Sequence, residues 1–125
     1  MADKADTSEQ FNDSEMYRAI FENSLTSNLI LSNEGEILKA NPEACNLFGY
    51  DENDLKGTFV SELLDSNDIV NIQNKPETYS GHAIGLKANG TRFVCNVLYS
   101  VFESQSGEKF ASLQINENSE RSKEI

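Results

Sequence analysis

A chain of 125 residues has room for one hydrophobic core and not two. Its 10 Lys and Arg against 21 Asp and Glu leave a formal charge of −11, a surface that phosphate backbones and anionic membrane faces repel, so nucleic acid and membrane are excluded as partners. At 38% hydrophobic the chain can still collapse, and no apolar run approaches the roughly 20 residues that cross a bilayer. Met1-Ala-Asp-Lys opens no signal-peptide core, so the expected location is cytoplasmic. The two cysteines, Cys45 and Cys95, stand far apart among apolar neighbours and read as reduced core thiols, with no metal-ligand spacing.

Residues 1–12 are acidic, polar and aperiodic, a flexible leader. Over 13–25 the spacing of Met16, Tyr17, Ile20, Phe21 and Leu25 predicts an amphipathic helix with Asp13 or Ser14 as cap. Such a short helix is marginal alone, so its stripe must lie on something. Leu29-Ile30-Leu31 and Ile37–Ala40, separated by Asn33-Glu34-Gly35-Glu36, predict a hairpin with little exposed face.

Asn41-Pro42 then turns the chain into helix: Asn caps, Pro fits the first position and Glu43 suits the positive end of the dipole. Ala44, Leu47 and Phe48 give the buried stripe, and Gly49 can close it in the left-handed conformation. Further single turns are predicted at Asp51–Gly57, near Ser61 with Phe59, Val60, Leu63 and Leu64, and over Asp68–Lys75. These brief helices form a strap across one face of a sheet. The last third is an antiparallel meander: strands over Thr78–Lys87, Arg92–Phe102 and Lys109–Ile115, joined by Ala88-Asn89-Gly90-Thr91 and by a polar loop at 104–108. The whole is an α+β fold, a five-stranded antiparallel sheet with short helices on one face.

Within that order, Met16–Ser24, Leu29–Tyr50, Asp54-Leu55-Lys56-Gly57 and Lys87–Phe93 resemble the PAS domain family of sensory modules. The distinguishing pieces are Asn41-Pro42 followed by Leu47-Phe48-Gly49-Tyr50, and the Asn89-Gly90 hairpin well downstream. The resemblance implies a PAS core over 26–116. It also implies a tail at 117–125 that resembles the segment leading into a coiled linker and an output domain, of sensor kinase or diguanylate cyclase type. Asn118 and Ser119 depart from the usual Ile and Thr of that segment, and a frayed charged end is the plainer reading.

In the family, ligands sit between the sheet's concave face and the connecting helices. Alternation then sorts the strands. Phe93, Cys95, Val97, Tyr99 and Val101 form the more apolar set and face inward; in the preceding strand Tyr79, Gly81, Ala83 and Gly85 do. With Phe48 above them, these residues line the candidate ligand pocket, which is either roomy at its small residues or filled by Tyr99 and Phe93. Haem is disfavoured, because the family's haem-binding histidine lies on the connecting helices and the single His82 is on a strand. A covalent flavin adduct is disfavoured too, since Cys45 stands in Ala44-Cys45-Asn46-Leu47 rather than in the photochemical motif. Non-covalent flavin or a small metabolite remains open. Paired carboxylates at Glu34/Glu36 and Asp51/Glu52/Asp54 fall in turns and caps, and no catalytic triad or phosphate cradle is present, so an enzyme is not expected.

On the other face Val94, Leu98 and Phe102 form an apolar row that needs cover. The helix stripe of Met16, Tyr17, Ile20 and Phe21 can supply it, from its own chain or from the second copy in a homodimer.

Overall fold

The computed structural model describes residues 13–65 and 78–118. The predicted leader at 1–12, the predicted helix at 68–75 and the tail beyond residue 118 lie outside them.

Helix α1 (Asp13–Asn23) ends two residues short of the predicted span. The Asn23 amide turns back to donate to the Ala19 carbonyl, and the Thr26 N–H bonds the Ser24 hydroxyl, so the chain leaves the helix there and Leu25 stands in solvent. Strands β1 (Ser27–Ser32) and β2 (Ile37–Ala40) form the expected hairpin, with a bulge between Ile30 and Leu31. Helix α2 (Pro42–Phe48) starts at the Asn41 cap, whose side chain accepts from Ala44 N, and ends on Gly49 at φ +82°. A single turn, α3 (Glu52–Leu55), follows, though Asp51 occupies its cap position without a side-chain bond.

A 3-10 turn at Val60–Glu62 closes with Glu62 reaching back to the Phe59 N–H. The chain then extends into β3 (Leu64–Asp65), which pairs with the edge of β4 (Thr78–Leu86). Strands β5 (Arg92–Glu103) and β6 (Lys109–Glu117) complete the sheet. The sheet therefore has six strands, not five, in the order β2-β1-β6-β5-β4-β3. The turn expected around Ser61 gives up Leu64 to the sixth strand, whose two residues carry no alternation that could mark it in the sequence.

The order makes β6, the last strand, a central one, paired with β1 on one side and β5 on the other. One face of the sheet carries Leu29, Leu31, Phe93, Cys95, Val97, Tyr99, Ala111, Leu113 and Ile115, all buried in one core with Phe48 of α2 and Leu55 of α3. The consecutive Leu29-Ile30-Leu31 is resolved by the pleat: both leucines point into this core and Ile30 points to the opposite face, where α1 covers it.

Candidate functional site

The inner face of β4 and β5 and the helix above it bring together the residues singled out by alternation. The register sets Gly85 beside Phe93, Ala83 beside Cys95, Gly81 beside Val97 and Tyr79 beside Tyr99. Phe93, Cys95, Val97, Tyr99 and Ala83 are buried, with Tyr79, Gly81 and Val101 partly so. Phe48 descends from α2 onto Phe93 with ring centroids 5.7 Å apart and planes tilted by 53°. That separation falls within the roughly 4.5–7 Å over which aromatic pairs attract beyond their burial.

Of the two expectations for the small residues of β4, room or filling by aromatic rings, the structure has the filling at Gly85 and Gly81. A Cβ built on Gly85 would run into the Phe93 ring, and one on Gly81 would come within 2.5 Å of the Tyr79 hydroxyl. The far edge of the Phe93 ring occupies the space a side chain at Gly85 would need. At Gly81 the filler is Tyr79, two residues away on the same strand face, and not Tyr99 as expected. Alternation identified the face; it could not say which ring folds over which glycine, because that depends on rotamers.

The electrostatics are those of a neutral, largely apolar layer. Burial pushes the Cys95 thiol up to about 11, and the neutral thiol donates to the Ala83 carbonyl at 3.4 Å. Tyr99 is raised by burial as well. Cys45 is half-buried and raised, first by burial and then by the nearby carboxylates of Glu52, Asp51 and Glu22. Neither thiol is poised as a nucleophile. At the rim, the Lys87 ammonium lies 5.2 Å from the Phe93 ring centre and 3.8 Å from a Glu117 carboxylate oxygen, so one cation touches the inner aromatic and the end of β6. Sequence reading missed Lys87, which sits just before the Asn-Gly turn with nothing local to mark it. His82 is exposed and pairs with Asn96 on the face turned away from the core. Among the described residues no cluster of His, Cys, Asp or Glu is arranged to hold a metal.

The PAS domain family model matches residues 26–117. The chain belongs to the PAS domain family. Solved PAS domains share its fold at low identity. The PAS domain of an HTR-like protein from Haloarcula marismortui is 22% identical with a TM-score of 0.74, covering 84% of this chain and 96% of that one. A PAS domain from a two-component sensor histidine kinase gives 16% and 0.76, covering 85% and 96%. The PAS domain of nitrogen regulation protein NR(II) from Vibrio parahaemolyticus gives 20% and 0.68, covering 82% and 98%.

The second surface is the outer face. There α1 lies over β1, β6 and β5, enclosing a groove of about 230 Å³ between Tyr17, Ile20 and Phe21 on the helix and Ile30, Leu98 and Gln114 on the sheet. The helix stripe is split: Phe21 is 7% exposed and anchors the helix, whereas Ile20 is 70% exposed and Met16 and Tyr17 are half exposed. Of the sheet row, Val94 is buried while Leu98 and Phe102 remain exposed. Phe102 stacks on Phe110 of β6 at 5.6 Å, a neighbour that extends the row across the sheet. Among the described residues no helix is long and apolar enough to cross a membrane.

Proposed function

We propose that this PAS domain is the cytoplasmic input module of a larger signalling protein, without catalytic activity of its own. A small ligand of apolar or weakly polar character is received at the inner face under Phe48, and the change leaves through β6 and the residues after Glu117 to an output domain of sensor kinase or diguanylate cyclase type. The observation that carries this reading is the position of β6. It borders the inner face through Ala111, Leu113 and Ile115, is gripped on both sides, and ends where Glu117 meets the Lys87 that lies over Phe93. These contacts support a route from a rearranged inner face to the exit of the domain. Such a shift requires that the ligand bind one arrangement better than the other.

The close packing of Phe93 on Gly85 supports a second reading, a ligand-free PAS module with a filled core that serves dimerisation or docking. In both readings the exposed Tyr17, Ile20, Leu98 and Phe102 are the surface of a homodimer. Native mass spectrometry and absorbance of the purified protein, beside an Ala83→Leu variant, separate the two. The sensory reading expects a bound small molecule that A83L loses while the dimer persists. No bound species in the wild type, with A83L only less stable by about 1–3 kcal/mol from overpacking, leaves the docking reading.

A further inference from the structure

The Asn41 side chain is fully buried and makes four hydrogen bonds. Its Oδ1 accepts from the Asn28 N–H at 2.9 Å and from the Ala44 N–H at 3.0 Å. Its Nδ2 donates to the Thr26 carbonyl at 2.8 Å and to the Phe21 carbonyl at 3.1 Å. That is the full capacity of a carboxamide, two donors and two acceptor sites. The Phe21 carbonyl lies in the last turn of α1, among those no N–H of the helix itself can reach. One amide thus closes the start of α2, the end of α1 and the entry to β1. Beyond it, α1 is held chiefly by the Phe21 ring, its other apolar side chains being exposed.

Helix α2 has only seven residues and is fastened at both ends. At the far end the Ala88 N–H donates to the Phe48 carbonyl at 2.8 Å, and the Phe48 ring rests on Phe93, which in turn fills the space over Gly85. A continuous path of contacts therefore runs from the inner face through one rigid helix to α1 on the opposite side of the sheet.

We propose that Asn41 is a positioning residue that couples the inner face to the amino-terminal helix. A change in what Phe93 and Phe48 pack against displaces α2, and the amide hands the displacement to the Phe21 carbonyl and so to the seating of α1 on the outer face. This rests on the sensory reading of the inner face, yet the coupling is measurable with no ligand present. Because coupling is reciprocal, the seating of α1 also biases the inner face.

The test is hydrogen exchange by mass spectrometry on the full chain and on Gly85→Ala, Asn41→Ser and the double variant. Gly85→Ala pushes a methyl into the Phe93 ring. Asn41→Ser keeps a capping oxygen for Ala44 but removes both amide N–H donors, leaving one O–H on a shorter side chain. We expect N41S to speed exchange over 13–23 by about fivefold or more, the factor one net hydrogen bond represents, with β5 changed less than about twofold. We expect G85A to alter exchange over 13–23 when Asn41 is present and to leave it unaltered in the N41S background. Equal acceleration in α1 and β5 would make Asn41 a general stabiliser and overturn the proposal. A G85A effect on 13–23 that is the same in both backgrounds, or missing from both, would overturn it as well. If N41S does not fold, Asn41→Asp, which keeps both acceptors and loses both donors, takes its place in the same comparison. A failed ligand search sinks the sensory reading without altering these exchange rates, so the two failures are distinguishable.

Discussion

Gly85→Ala gives the sharpest test of how the inner face is filled. In the middle of a strand an alanine is intrinsically better than glycine by about 0.5–1 kcal/mol. Against that stands the Phe93 ring, which the new methyl would strike. The ring has little freedom to withdraw: Phe93 is 1% exposed, with Phe48 on it at 5.7 Å and Lys87 at its rim. Overpacking of this kind costs about 1–3 kcal/mol, and a ring this confined puts the cost at about 2–2.5 kcal/mol, so the net destabilisation after the alanine gain is about 1–2 kcal/mol. For a chain of this length each kcal/mol moves the melting temperature by about 4 °C, and a fall of about 4–8 °C is expected by calorimetry or circular dichroism. Trimming the obstacle relieves the clash: G85A with Phe93→Leu is expected to be more stable than the sum of the single effects by about 1 kcal/mol or more. A G85A protein as stable as the wild type, or more so, would show that the ring is not held over Gly85 and refute the packing argument.

Gly81→Ala meets the hydroxyl end of the Tyr79 side chain rather than a ring held under Phe48, so it should cost less than G85A; a loss like that of G85A would contradict the contrast. Cys95 has a folded-state value near 11 against an ordinary 9. Its contribution is whole below pH 9 and disappears as pH rises toward 11, by about 2 to 3 kcal/mol, so denaturant titrations should show an alkaline fall that is smaller in Cys95→Ala. Parallel curves for the two proteins would refute the assignment. Leu98→Glu should convert a dimer to a monomer in sedimentation at micromolar concentration while shifting stability by less than about 0.5 kcal/mol, and a wild type that is monomeric there would remove the dimer surface.

Most of the architecture was legible in local chemistry. Asn41-Pro42 and Gly49 announced both ends of α2, and Asn89-Gly90 announced the hairpin between β4 and β5, since caps and turns depend on residues a few positions apart. Alternation selected the inward set of β5 correctly for the same reason. What stayed hidden was set by partners distant in sequence. The donor side of Asn41 reaches carbonyls 20 and 15 residues upstream, and no local pattern encodes that. The two-residue β3 exists because Leu64 and Asp65 find the open edge of β4, which no window around residue 64 contains. The filling of the inner face by Phe93 and Tyr79 depended on rotamers chosen by the surrounding core, and the division of the α1 stripe into one buried anchor and three exposed side chains depended on where the helix lands.

The proposition at stake is that filling the inner face is felt at the carboxy-terminal exit of the domain. Hydrogen exchange compared between the wild type and Ala83→Leu measures this directly, because the added side chain enters the buried layer beside Cys95 as an occupant would. The account predicts altered protection in α2 and along Lys109–Glu117. Changes confined to β4 and its immediate partner in β5, with β6 unaltered, would contradict it.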